Sequence, residues 1–176
     1  MVIHIKTLKS NLSNNELNSL INKLQQLKSG LQKSGRKIVK DMSDFAKEQI
    51  SQNLAATPYK DGNDDVRVYS EVKNEKTKVG MTGTQVLYDE FGTGTKGQES
   101  PHPDKGKFQL RGYNTGSKIK VSKNGDLFWI YKNSNGELVK TNGIPAGKQV
   151  FNASILLKGK KNQIIKRRVG EVISKL

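Results

Sequence analysis

Three glycines near the middle of the chain have a spacing that can bind a phosphate group. Gly92, Gly94 and Gly97 fit the pattern G-x-G-x-x-G, which binds the pyrophosphate of a dinucleotide where a strand turns into a helix. The next residues, 98–103, include two prolines and cannot open such a helix. No strand–helix–strand pattern surrounds the glycines either. The sequence therefore favours a sharply turning loop here and predicts no cofactor.

Side chains suited to acid–base or metal chemistry are few. The two histidines, His4 and His102, are far apart, and Asp104 beside the second does not complete a known metal-ligand spacing. Asp89 and Glu90 are adjacent, and adjacent residues on a strand point to opposite faces, so they make a poor acid–base pair. There is no cysteine to act as a nucleophile. We expect no metal, no small-molecule substrate and no enzymatic activity.

Positive charge is the strongest compositional signal. The chain has 31 basic and 16 acidic residues, a formal net charge of +15, and such a surface attracts polyanions. Residues 105–123 hold six basic residues, two aromatic residues and no acid, which suits either nucleic-acid binding or a solvated loop. A second basic run lies near the C-terminus. The residues expected to contact DNA or an acidic partner are Lys105, Lys107, Arg111, Lys118, Lys120, Lys166, Arg167 and Arg168.

The spacing of apolar residues predicts the elements that carry these side chains. A first strand is expected at residues 2–8. Residues 17–54 then hold two series of apolar residues with spacings of three and four, which is typical of one face of a helix. Gly30 and Gly35 punctuate the series, so either one bent helix or two helices are expected. Core packing is the main interpretation of these stripes, and contact with a neighbouring subunit's helix is the alternative.

Beyond residue 65 the apolar period changes to two, which predicts strands. A hairpin or a meander is expected over residues 66–81, a strand end at 86–91, and another strand at 127–131. A C-terminal helix is expected from Val150. Between them, residues 92–126 form a long basic, glycine-rich arm with few apolar side chains, which is expected to become ordered only against a partner.

The expected fold is therefore a single α+β domain over residues 1–176. Long N-terminal helices and a C-terminal helix pack on a small, mainly antiparallel sheet with a long extended loop. The apolar stretches fall far short of the roughly 20 residues that span a bilayer. Residues 1–10 lack the apolar region of a secretory signal. Assembly in a cytoplasm, without a membrane partner, is expected.

Two short motifs, in the same order over nearly the whole chain, resemble a known family. Residues 88–94 read Tyr-Asp-Glu-Phe-Gly-Thr-Gly, and residues 143–146 read Gly-Ile-Pro-Ala before Phe-Asn-Ala at 151–153. This arrangement resembles the gene-product-ten-like tail-completion proteins of lambdoid and related long-tailed double-stranded-DNA phages. The chain departs from that family at residues 57–62, where a Thr-Gly-x-Leu element is usual.

The resemblance implies a structural protein of the phage neck or head-proximal tail end. It would act in head–tail joining or tail completion as part of an oligomeric ring in the virion, assembled in the host cytoplasm. Its partners would be further copies of itself and other neck or tail proteins, with double-stranded DNA in the lumen as a further contact. The expected subunit-interface residues are Glu90, Phe91, Gly92, Gly94, Pro145 and Phe151.

Glu90 has a specific expected role in that interface. At a strand end beside a cationic arm, its carboxylate is expected to pair with Lys or Arg of a neighbouring subunit.

The alternative function, from another class, is a basic nucleic-acid-binding accessory protein. A regulator of that kind presents a compact helix-turn-helix, and the helices expected here are too long and too central for that motif.

Overall fold

The computed structural model describes residues 13–57, 65–73, 76–106, 120–132 and 135–176. The strand expected at residues 2–8, together with His4, lies outside the described residues. So do three of the basic residues expected to contact a polyanion, Lys107, Arg111 and Lys118.

Helix α1, Asn14–Ala55, is the longest element. It begins with a capping box, in which the Ser13 side chain accepts the Glu16 N–H and the Glu16 carboxylate accepts the Ser13 N–H (2.8 Å). Gly30 and Gly35 both lie within the helix, so the two apolar series belong to one continuous element.

The strands in the described part of the chain form two small antiparallel sheets. Strands β1, Arg67–Lys73, and β2, Lys76–Thr82, make the expected hairpin, with Ser70 opposite Val79. The second sheet has the order β3–β4–β5, with β3 at Lys120–Val121, β4 at Leu127–Lys132 and β5 at Leu138–Thr141. The strand expected at residues 127–131 is therefore confirmed.

Helix α4, Gln149–Ile173, returns antiparallel along α1. Contacts at three levels fix this orientation: Asn53 with Gln149, Asp41 with Arg168, and Gly30 with Val172. Between the two helices and the β1–β2 hairpin lies a small apolar core, whose buried members are Ile50, Met81 and Ala153. The α+β fold, with its long N-terminal and C-terminal helices and antiparallel strands, is confirmed.

Two local predictions are wrong. The segment expected to be a strand end is helix α2, Val86–Phe91, and the first part of the expected arm is helix α3, Gly94–Glu99. Helix α2 ends where the Gly92 N–H donates to the Tyr88 carbonyl (2.8 Å) and the chain turns at a Gly92 φ of +70°. An extended, unanchored arm therefore does not start at residue 92.

Candidate functional site

The two motif segments, far apart in sequence, meet and hydrogen-bond along their backbones. The Thr93 N–H donates to the Ile144 carbonyl (2.8 Å), the Gly147 N–H to the Asp89 carbonyl (2.8 Å), and the Lys148 N–H to the Glu90 carbonyl (3.1 Å). We call the unit made by residues 88–97, His102 and residues 143–151 the junction. It joins the end of α2 and the start of α3 to the start of α4.

Glycine is required where the two backbones cross. A Cβ atom at Gly92 would lie 2.5 Å from the Ala146 nitrogen, and one at Gly143 would lie 1.9 Å from the Thr93 carbonyl oxygen. Both glycines have positive φ, +70° and +87°, a conformation that favours glycine. The conspicuous glycines therefore allow close backbone packing.

Glu90 is the polar centre of the junction. Its side chain is buried, with 6% of the residue exposed, and both carboxylate oxygens accept backbone hydrogen bonds. The Val150 N–H donates to Oε2 (2.9 Å) and the Phe151 N–H to Oε1 (3.0 Å). These are the second and third residues of α4, whose N–H groups have no partner within a helix. Glu90 thus caps α4 from a distant part of the chain.

His102 provides a further hydrogen bond to the Glu90 carboxylate. Its Nδ1 accepts the Asp104 N–H (3.0 Å), so the hydrogen-bond network assigns the ring proton to Nε2, which donates to Glu90 Oε1 (3.1 Å). The buried ring lies between Phe91 and Phe151, with centroids 4.3 and 5.1 Å away. Such a tilted and edge-on arrangement of rings is favourable. The pair is a buried structural contact.

The structure brings the six expected interface residues into one place. Phe91, Gly92 and Gly94 are buried with Glu90, while Pro145 and Phe151 are half-buried. They contact one another within the chain. Glu90 lies at the end of a short helix, not of a strand, and its carboxylate is engaged by α4 and His102. The expected pairing of this carboxylate with a neighbour's cation is therefore replaced by intrachain bonds.

The expected polyanion-binding residues are not brought together. Arg168 lies between α1 and α4, where its Nε and Nη2 donate to the Asp41 carboxylate (2.7 and 2.8 Å) and Arg167 adds a third bond (2.7 Å). Hydrogen bonds from Arg168 and Arg167 lower the pKa of Asp41 to about 2. Arg168 thus stabilises the helix pair. Lys166 and Lys120 are exposed and Lys105 is half-buried.

Sequence reasoning missed His102 and Asp41. His102 carried a weak signal, since a histidine between two prolines has a restricted backbone, but nothing local pointed to Glu90. Asp41 interrupts the apolar series of α1, and a carboxylate in that position requires a cation on the facing helix. The sequence therefore allowed the prediction of a cation opposite Asp41, but not the identity of the residue that supplies it.

The described residues contain no group of three or more His, Asp or Glu side chains arranged to hold a metal ion. None of the helices among them is long and apolar enough to cross a bilayer. A groove of about 560 Å³ opens between α1, β2 and α4, lined mostly by apolar side chains such as Val39, Met42 and Leu157. Its only charged lining residue among the described ones is Lys76.

No family model matches the chain, and no curated protein or solved structure matches it either.

Proposed function

We propose that this chain is a structural protein of the phage neck or head-proximal tail end, which acts in head–tail joining or tail completion as part of an oligomeric ring. The proposal starts from the resemblance of residues 88–94 and 143–153 to the tail-completion family. It treats the chain as a building block without catalytic activity.

One observation carries the proposal. The two motifs, separated by about fifty residues in the sequence, form a single hydrogen-bonded junction in the fold. Motifs that match a family by chance have no reason to meet, whereas motifs that define the architecture of a family must do so. The features that support the proposal are the glycines at the backbone crossing, the carboxylate that caps α4, and the aromatic pair around His102.

The junction also suggests how a ring is built. Because the motif residues bind one another, a neighbouring subunit would contact the surface that they hold in place. Leu87 on α2 borders the junction and Tyr88 belongs to it, and these two large side chains are each 40% exposed. An apolar surface on a rigid element is suited to a repeated contact between subunits.

Electron microscopy tests this role directly. In a phage that encodes this chain, particles assembled without it should show filled heads and unattached or incomplete tails, and the purified protein added to them should restore joining. A Leu87→Asp variant should restore joining poorly, whereas Val72→Asp, at an exposed apolar position on β1, should behave like wild type. Normal tailed particles in the absence of the protein would overturn the proposal.

A basic nucleic-acid-binding accessory protein is the second candidate, favoured by the surface of α4. This helix carries six basic residues and one acidic residue, and Lys158, Lys160, Lys161 and Lys166 are exposed on it. The microscopy separates the two: an accessory protein would leave particle morphology unchanged when absent. DNA binding by itself does not separate them, since a protein that lines a DNA-filled lumen also binds DNA.

A further inference from the structure

The N-terminal third of α1 extends beyond the rest of the fold. Val172, at the end of α4, packs against Gly30, and α4 ends at Ile173. Residues 14–30 of α1 therefore continue for about 24 Å past this point, at 1.5 Å per residue. Nearly all of their side chains are exposed, including those of Leu17, Leu20 and Leu24.

The exposed side chains continue the seam along which α4 packs on α1. The sequence positions 17, 20, 24, 27, 31, 34, 38, 41 and 45 alternate spacings of four and three without a break, the pattern of paired helices that coil about each other. Helix α4 covers the later positions: Ser34 is buried, and Asp41 is bound by Arg168. The earlier positions keep the same spacing, and there Leu17, Leu20 and Leu24 are exposed while Leu27 is half-buried.

The end of α4 fixes the orientation of a helix that could cover this stretch. In a parallel pair, a second α1 would continue along the seam past residue 30 and collide with α4. In an antiparallel pair, leucines at alternating positions meet, Leu17 with Leu27 and Leu20 with Leu24 of the second copy. In that register Asn14 of the second copy lies beside Gly30, which is where α4 ends.

We propose that two copies of this chain associate through residues 14–30 of α1, packed antiparallel about a two-fold axis. The free length of the helix, its apolar spacing and the position of the α4 end agree on one register, and the surface is self-complementary as a two-fold contact requires. Most of the α1 seam is then covered, residues 34–53 by the chain's own α4 and residues 14–30 by the partner's α1, with Leu31, 42% exposed, between the two stretches. The proposal does not depend on the phage function.

The association of the full chain tests the proposal. Sedimentation velocity of wild type across a range of micromolar concentrations should show a dimer or a larger assembly built from dimers. Leu24 is 56% exposed and sits near the axis, so Leu24→Glu should raise the dissociation constant of this contact by roughly 100-fold, since it truncates a central apolar contact and buries a charge. Leu156→Glu, at a residue on α4 that is 48% exposed, is the matched control and should leave it unchanged.

Cross-linking tests the orientation. The chain has no cysteine, so a single introduced thiol reports one contact. In the proposed register the axis passes at the level of Asn22, and the two copies of Lys23 flank the seam on the same side, next to the axis. Lys23→Cys should therefore form an intermolecular disulfide under mild oxidation, whereas Ser19→Cys, on the outer side of the helix, should not. A wild-type chain that remains monomeric at high micromolar concentration would overturn the proposal. Equal association of Leu24→Glu and wild type, or cross-linking through Ser19→Cys alone, would also overturn it.

Discussion

Glu90 caps a helix within its own chain, although its position in a motif suggested a contact with a neighbouring subunit. Helix α4 starts after Lys148, which has a left-handed backbone (φ 55°) and a side chain that does not cap the helix. A carboxylate at this end satisfies unpaired N–H groups and interacts favourably with the helix dipole. Glu90 supplies it from a short helix that is 60 residues away in sequence. The motif glutamate thus positions α4.

Glu90→Gln should destabilise the isolated subunit. An amide keeps the size of the side chain but turns one acceptor into a donor that faces a backbone N–H or the His102 ring, and hydrogen bonds to a buried charge contribute about 1.5–3 kcal/mol. We expect the melting temperature to fall by roughly 4–10 °C for a chain of this length. Thermal unfolding followed by circular dichroism measures this change. Glu71→Gln, on the exposed face of β1, should melt within about a degree of wild type.

Gly143 offers a sharper test of the junction. An alanine methyl at this position would overlap the Thr93 carbonyl and would need a strained positive φ, so Gly143→Ala should lower the free energy of unfolding by more than about 2 kcal/mol. Gly159 lies on the exposed surface of α4, where an added Cβ would have no neighbouring atom within 4 Å. Gly159→Ala should therefore stabilise the protein by up to about 1 kcal/mol. Urea denaturation of both variants gives the comparison, and similar losses in both would contradict the crossing geometry.

Sequence reasoning identified part of the junction but neither the role of His102 nor the way the residues interact. Glu90, Phe91 and Phe151 stand out in the sequence by residue type, and in the structure they converge as a group. Their bonds were out of reach, since the partners lie about sixty residues apart and no local pattern encodes that pairing. The strand interpretation also hid the capping role, because it placed Glu90 on a pleated surface.

The main contact between secondary-structure elements is the packing of α4 on α1. An apolar seam holds the two helices together, and Asp41 interrupts it with a carboxylate that is 17% exposed and faces Arg168, 23% exposed. Arg168 also donates to Glu171 on its own helix (2.9 Å). Two-point hydrogen bonding between guanidinium and carboxylate fixes both angle and distance. The ion pair therefore sets the register of the helices.

The contribution of Asp41 should depend on pH. The pKa of Asp41 is lowered from its ordinary value of 3.8 to about 2 in the folded chain, so folding is favoured above pH 3.8 and this contribution is lost as the pH falls through 2. At neutral pH, Asp41→Asn should cost about 1–2 kcal/mol after allowance for solvent screening. Denaturation curves at a series of pH values should show this difference shrinking below about pH 4. For Asp44→Asn, in an exposed pair with Lys40, we expect little effect at any pH.

Helices were predicted well where the series of apolar residues was long, and poorly where it was short. The 42 residues of α1 and the 25 of α4 give many turns over which a helical period can be read. The six residues of α2 give fewer than two turns, and a short apolar run suits a strand equally well. In α2 a tertiary contact determines the structure, because the packing of Gly92 against residues 144–146 sets where the chain must turn.

At the scale of the whole molecule, basic and apolar side chains share the exposed surface. The exposed lysines of α4 are accompanied by exposed Ile155 and Leu156, and the exposed leucines in the N-terminal stretch of α1 are accompanied by Lys23 and Lys28. The net charge of +15 favours weak, sequence-independent association with polyanions at low salt. The sequence predicted this property from composition alone, but the role of Arg168 in a helix contact could not be deduced from the same run of basic residues.

Binding to double-stranded DNA should therefore be sensitive to salt and to the lysines of α4. Each phosphate contact contributes a slope of about −0.9 to the dependence of log affinity on log salt. A variant with Lys158, Lys160 and Lys161 all changed to Gln should lose affinity and reduce the slope by up to about three such contacts. Changing Lys73, Lys76 and Lys78 on the hairpin is a control of equal charge. Fluorescence anisotropy over a salt series measures both, and equal effects of the two variants would argue against a role specific to α4.

The junction has a topological consequence. Thr93 and Ile144 are bonded neighbours, so the chain between them begins and ends at the same point of the junction. The conformational entropy of closing a chain rises only with the logarithm of its length, about 0.6 kcal/mol for each doubling. Because the contact between Thr93 and Ile144 closes this segment, added length at an exposed position within it should cost the helices and the hairpin little free energy.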